Sequence, residues 1–402
     1  MPTPFREVVV AGACRTPIGA FQGALAPFSA TELGALAVKE AVRRAGIDPR
    51  RVDEVIMGCV LPAGVGQAPA RQAAIKAGLP VEVTCMTINK VCGSGLKAVM
   101  LAAQAIMVGD AEVVVAGGME SMSNAPYLLN KAREGYRLGH GELIDSMIKD
   151  GLWDVYNNFH MGNAAELCAR ECSIPRGQQD EFAMMSYRRA QAAQANGLFR
   201  KEIVGVPLPQ KKGDPILISE DEEPQKANFE KMAALRPAFD KEGTITAANA
   251  SKINDGAAAV VVMAREVADK LGVKAQAKLL SQTAAAKQPE WFTTAPIDAI
   301  AKLLQKSGFT LDQIDLFEIN EAFAVVALAA QQQLGLPMEK LNVHGGAVAL
   351  GHPIGASGCR ILVTLIHALQ EYKKKHGGGG AGGKRRLIKK VHIRIVQPAR
   401  IP

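Results

Sequence analysis

The apolar positions of this chain fall into two kinds of run. One kind is short and continuous: VVVA near the start, AEVVVAGG, and AAAVVVMA. Strands covered on both faces require such runs, because neither face meets water. The other kind is longer. CGSGLKAVMLAAQAI (Cys92–Ile106) and GASGCRILVTLIHAL (Gly355–Leu369) each carry a small-Ser-Gly turn that feeds a helix apolar nearly all round. Only a few polar positions interrupt them, among them Lys97, Gln104, Arg360 and Thr364. A helix without a polar face is buried on every side.

These two helices belong to an internal repeat with a spacing of 263 residues, Cys92 to Gly355. A second pair, AVKEAVRRAGIDPRRVDEVIMG (Ala37–Gly58) and AIAKLLQKSGFTLDQIDLFEIN (Ala299–Asn320), repeats at 262. In each, a helix pattern stops at a glycine, Gly46 or Gly308, and a hydrophobe-Asp pair then precedes a strand. The pattern predicts two similar α/β halves packed together, with one buried helix from each pressed between two sheets. Residues from about 123 to 250 read differently: polar, loop-rich, with a helix around Gly177–Asn196. The predicted organisation is a first half at 1–122 and 252–274, an inserted loop domain at 123–251, and a second half at 275–402.

Composition bounds the setting. A chain of 402 residues that is 48% hydrophobic can bury one large core or two medium ones. MPTPFREVVV enters a strand pattern almost at once, which argues against a secretory or transit segment. Runs such as AFAVVALAA are far too short to span a membrane. Seven cysteines without a CxxC argue against a disulfide framework and a zinc site, so a reducing, cytoplasmic setting with no bound metal is expected. The formal charge of +8 resides in the tail. Residues 371–402 hold ten Lys/Arg and one acid, which leaves 37 basic against 38 acidic residues elsewhere. Neither nucleic acid nor membrane is an expected partner.

Three motifs carry candidate chemistry. In INKVCGSGLKAV, glycines at 93 and 95 bare the backbone around Cys92, and the helix beginning there aims its N–H groups and positive dipole end at the sulfur. That environment makes a thiolate nucleophile. A small buried core residue is the competing reading. HGGAVALGHPIGASG places His352 on a glycine-rich loop, exposed where a base belongs, in the repeat partner of the Cys92 segment. NEAFA places Asn320 where a strand meets a helix, either as an N-cap or as a donor to an oxyanion.

INKVCGSGLKAV, GGMESMS, NASKINDGAAA, NEAFA and GHPIGASG, in this order and spacing, resemble the thiolase family, and RTPIGAFQGAL and LRPAFDKEGTITAANAS agree. The resemblance covers residues from about 1 to 375 and is most similar to the acetyl-CoA acetyltransferase branch. It implies a five-layer αβαβα sandwich of duplicated halves with the inserted loop domain. It implies ping-pong acyl transfer, in which two acetyl-CoA give acetoacetyl-CoA and CoA, or the reverse. Cys92 resembles the nucleophile and His352 its base. Asn320, holding a water, resembles the partner of His352 in steadying an enolate. No metal or redox cofactor is implied, because coenzyme A thioesters are the substrates. Ser251 would contact pantetheine, and Leu152, His160, Met161, Ala322 and Phe323 would line its tunnel; for Met161 and Phe323 ordinary core is the alternative. Lys226 stands near a place where the family often has an arginine for the CoA phosphate. A homotetramer or dimer is implied, with residues 123–145 in tetramer contacts.

The alternatives are a ketoacyl synthase, a thiolase for longer 3-ketoacyl-CoA, and a thiolase-like CoA-binding protein with impaired turnover. The last rests on the tail. The family carries a Cys-x-Gly-Gly-Gly loop about thirty residues after the GHP histidine, near Gly382 here, and no cysteine follows Cys359. Residues after about 375 read as a changed frame or a replaced terminus. They hold one strand candidate, Leu387–Val396, so the second half's sheet is expected to be incomplete there.

Overall fold

The structure, a computed structural model, describes residues 5–374 and the backbone of 391–399. Its main sheet comprises β1 (Val8–Arg15), β2 (Glu54–Gly58), β3 (Thr84–Ile88), β4 (Val113–Ser121), β5 (Asn254–Ala264), β6 (Ala277–Ala286) and β7 (Val391–Ala399), in the order β7-β6-β1-β5-β4-β2-β3. A two-residue strand, Gly19–Ala20, pairs with the start of β5. β2 runs parallel to β3 and β4, whereas β5 is antiparallel to both β4 and β1. The apolar runs of the sequence are β1, β4 and β5, and every residue of all three is buried. β5 lies beyond the loop-rich insertion in sequence yet pairs along its length with β4.

The two apolar helices are α2 (Ser94–Val108) and α7 (Ser357–Glu371), and they pack in one core with the sheet. Val91–Val108 is long and apolar enough to cross a membrane, but this packing accounts for its composition. A pair of glycines sets how closely the helices approach. A Cβ on Gly95 would stand 2.8 Å from the Cys359 backbone nitrogen, and one on Gly358 would stand 2.6 Å from that of Leu96. The two clashes are related by the 263-residue repeat. Only glycine lets both helix N-termini meet backbone to backbone, and this brings the Cys92 and His352 segments together. The second repeat pair also holds: α1 (Ala30–Ala45) and α5 (Ala295–Ser307) end on left-handed Gly46 and Gly308, at φ 69° and 68°.

Among the described residues one ladder joins the strands of the two halves. The first residues of β1, Val8–Val10, pair with β5 on one edge and with β6 on the other, so the ladder runs from one half into the other. Residues 315–319, the repeat partner of β2, make only a bridge from Phe317 to Leu341 among the described residues. The late strand, placed at Leu387–Val396 from the sequence, is Val391–Ala399 and runs parallel to β6 with one register shift. The expected cysteine-loop position near Gly382 lies outside the described residues.

Beside that bridge, Glu318 and Arg360 face each other at 3.6 Å with almost no exposure. Neither carboxylate oxygen and none of the three guanidinium nitrogens has a hydrogen-bond partner among the described residues. Burial outweighs the Arg360 charge and raises the Glu318 carboxyl from 4.5 to about 8. The folded chain therefore keeps this proton while the unfolded chain loses it. Stability from this group is fully present below about pH 4.5 and is lost as pH rises toward 8. Glu318→Gln is expected to flatten that fall, gaining about 1–3 kcal/mol on wild type between pH 5 and pH 8. Urea unfolding of both proteins at the two pH values measures it, and parallel profiles would mean that the carboxyl ionises normally.

Candidate active site

Cys92 stands in a sharp strand-to-helix turn between β3 and α2. Val91, just before it, holds φ at +47°, a left-handed conformation costly for a β-branched residue. Side chains hold the turn in place. Asn89 accepts from the Val91 N–H at 2.9 Å, and the Ser94 hydroxyl accepts from the Lys90 N–H at 2.7 Å while donating to the Val91 carbonyl. Gly58 makes room, since a Cβ there would stand 2.5 Å from that of Ser94. Gly93 is the N-cap of α2, so the half-buried Cys92 lies at the positive end of the helix, as the sequence predicts.

His352 faces it. Its Nε2 lies 3.2 Å from Cys92 Sγ. The sequence reading placed this histidine on an exposed loop; the loop is there, but His352 is only 5% exposed. Packing explains the burial. Asn254 Oδ1 accepts from the His352 N–H at 2.8 Å, and Asn254 Nδ2 donates to the Gly19 carbonyl. A Cβ on Gly351 would strike that asparagine, so the loop closes down on it. One turn further on, Glu120 accepts from the N–H groups of Val60, Leu61 and Gly355 at 2.9–3.1 Å. Burial raises this carboxyl to about 7 despite those donors. Glu120 thus ties β4, the turn after β2 and the histidine loop into one unit.

The other ring nitrogen settles what His352 can do. Nδ1 lies 2.6 Å from Ser357 Oγ, and that hydroxyl is 2.9 Å from the Pro353 carbonyl. A hydroxyl has one proton to give. Given to Pro353, it leaves the serine oxygen to accept from Nδ1–H, and Nε2 then turns a lone pair toward the Cys92 thiol. This tautomer is assigned from the hydrogen-bond network. It is the form that can take a proton from sulfur.

Asn320 reaches the same nitrogen, with Nδ2 3.5 Å from His352 Nε2, and its buried Oδ1 has no hydrogen-bond partner among the described residues. It is not the helix cap that the sequence left open, because α6 (Ala324–Leu334) starts four residues later and is capped by Phe323. The remaining expected contacts fall into four places. Leu152 packs in the small cluster with Val91 and Cys92. The Ser251 N–H donates to the Ala322 carbonyl, and Ala250 bridges Phe323. His160 caps α3 (Met161–Glu171) and stacks on Phe239 at 4.7 Å, which in turn meets Phe323 edge-on. Met161 and Phe323 are both buried in that cluster. Lys226 stands apart on the short turn Pro224–Lys226, paired with Glu223 at 3.9 Å. Cys359 is fully buried in α7, with its sulfur 3.9 Å from the Ala116 carbonyl, and burial raises its thiol well above the ordinary range.

Sequence reading missed Ser357, Asn254 and Glu120 as supports of the site. Ser357 carried a signal, since it sits five residues after His352 in a turn that could return its hydroxyl to the ring. Asn254 and Glu120 carried none, because their partners are distant in sequence.

Comparison with known proteins places the chain in a family. The thiolase N-terminal domain family matches residues 8–266, and the thiolase C-terminal domain family matches 273–384. An acetyl-CoA acetyltransferase of Cupriavidus necator is 56% identical over 370 residues, covering 92% of this chain and 94% of that one. Acetyl-CoA acetyltransferase 2 of Arabidopsis thaliana is 53% identical, with 92% of each chain covered. The crystal structure of the Bacillus anthracis acetyl-CoA acetyltransferase superposes with a TM-score of 0.89 at 41% identity, covering 92% of this chain and 94% of that one. With both family domains matched in order across the Cys92–His352 pair, the chain belongs to the thiolase family.

Proposed function

We propose that this protein is an acetyl-CoA C-acetyltransferase, which joins two acetyl-CoA into acetoacetyl-CoA and CoA and runs the reverse thiolysis. The observation that carries the reading is Cys92 Sγ, at a helix N-terminus, 3.2 Å from His352 Nε2. His352 takes the thiol proton. The thiolate attacks the acetyl carbonyl of the first acetyl-CoA, the C–S bond to CoA breaks, and the CoA thiolate leaves and takes a proton from solvent, so His352 keeps the thiol proton on Nε2. Cys92 now carries the acetyl group. The α-carbon of a second acetyl-CoA then gives a proton to solvent, and its enolate oxygen lies by His352 Nε2–H and a water held by Asn320. The α-carbon attacks the acetyl-cysteine, and the Cys92 thiolate departs and recovers its proton from His352 Nε2. Hydrogen bonds suffice to steady this enolate, since a thioester already acidifies its α-carbon.

The names of the relatives support turnover by this route over a binding-only role. Ser251, Ala322, Phe323, His160, Met161 and Leu152 form the proposed pantetheine path, with Lys226 as a point charge for the CoA phosphate. The same reading includes a cytoplasmic setting and assembly with further copies of this chain into a dimer or tetramer. Two surfaces support assembly. β3 is the sheet edge and exposes Met86, and the 123–145 segment exposes Tyr127, Leu129, Leu138 and Leu143.

Chain length decides the branch. kcat/KM for thiolysis is expected to be at least about tenfold higher with acetoacetyl-CoA than with a ten-carbon 3-ketoacyl-CoA. A preference for the longer substrate would assign the chain to the longer-chain thiolases instead.

A further inference from the structure

We propose that Cys168 and Cys172 form a redox-active dithiol that is oxidised to a disulfide by a small, carboxylate-bearing disulfide of the oxidised-glutathione class. The two residues lie one turn apart at the C-terminal end of α3, with their sulfurs 4.0 Å apart. Their exposures differ: Cys168 is fully buried, and Cys172 is partly exposed. Cys172 also lines a surface cavity of about 500 Å³, together with Lys287, Trp291 and Gln333. That volume lies within the range of small-molecule sites. Gln333 Nε2 donates to Cys172 Sγ at 3.5 Å, and Lys287, paired with Asp298 at 3.5 Å, shares the wall with Glu171, so both signs of charge face a reagent that carries carboxylates and an ammonium. One sulfur is thus reachable, and a second waits directly behind it.

The backbone allows the bond. Residues four apart in a helix have Cα atoms about 6.2 Å apart, inside the disulfide range of about 4.4–6.8 Å. The helix ends at Cys172, whose φ and ψ of −90° and 3° have left helical values, and Ser173 is left-handed at φ 53°. Closing the sulfurs by about 2 Å therefore asks for movement at a helix end and leaves the packed interior in place.

The chemistry balances in two exchanges. The Cys172 thiol loses its proton to solvent, and its thiolate attacks one sulfur of oxidised glutathione. A Cys172–glutathione mixed disulfide forms, and one glutathione thiolate leaves. Cys168 then loses its proton and attacks Cys172 Sγ, and the second glutathione leaves. The protein gives up two electrons and two protons, and the reagent becomes two glutathiones. The order follows from access, and burial also holds the Cys168 thiol protonated, raised to about 12.

The test uses the native full chain, oxidised glutathione and trypsin digestion without reductant. Arg170 lies between the two cysteines, so cleavage there separates them unless they are bonded. The expected product is peptide 150–170 joined to peptide 171–176, two hydrogens lighter than the reduced pair and separated by dithiothreitol. Cys168→Ser should stop at a glutathione adduct on Cys172, and Cys172→Ser should leave Cys168 unmodified. A glutathione adduct that persists on Cys172 in the wild-type chain would overturn the proposal. So would a linked pair that forms only after urea unfolding, or no reaction at either cysteine.

Discussion

Replacing Cys92 by serine is expected to lower acetyl transfer from acetyl-CoA on the order of 10⁴-fold or more. The reason is ionisation. A histidine base and a helix N-terminus both favour the thiolate, whereas a serine hydroxyl in the same place is far harder to ionise. His352 Nε2 would still lie within reach of the new oxygen, so the loss falls on the chemistry and not on the assembly of the site. The hydroxyl is smaller than the thiol and the position is only half-buried, so folding is expected to survive, as near-unchanged thermal unfolding would show. Acid quenching after mixing with labelled acetyl-CoA reads the step directly. Label should be recovered on the peptide containing Cys92 in the wild-type chain and be absent from Cys92→Ser and Cys92→Ala. Label that persists in either variant would remove Cys92 as the acyl carrier.

What the sequence made legible follows from how each contact is encoded. The α2–α7 pair was readable because burial on all sides leaves a compositional trace and because the repeat prints it twice. That repeat also foretold that the Cys92 and His352 segments would meet, across 260 residues. The histidine's burial was not readable, since it depends on Asn254 reaching back from β5 and on Gly351 yielding to it. Neither event leaves a local pattern. The single ladder across both halves was hidden for a similar reason. Val8–Val10 read as a strand, but nothing in VVVA says that it has a partner on each edge. The Asn320 ambiguity was real at the level of residue type, because asparagine favours both caps and polar sites. Four residues of distance from the start of α6 resolved it.

His352→Ala is expected to slow both the acylation and the condensation half-reactions by about 10²–10⁴-fold, the usual contribution of a positioned acid/base. Loss at both steps would distinguish it from a residue serving only the enolate, the role proposed for Asn320, whose replacement by alanine should spare acylation. The serine behind the histidine refines the point. Ser357 does not face the thiol; it accepts from Nδ1–H and so leaves Nε2 unprotonated toward Cys92. In Ser357→Ala the Nδ1 proton loses its partner, and the tautomer with a proton on Nε2, useless as a base toward sulfur, gains population. The expected result is a fall in kcat of about 10–100-fold with KM little changed and an altered pH profile of acylation. Ser357→Thr, which retains the hydroxyl, should recover most of the rate. A merely structural role would instead lower the folded fraction and leave the pH profile where it was. Wild-type kcat in Ser357→Ala would show that the ring holds its tautomer without this serine, and that the direction of proton transfer is set on the Cys92 side alone.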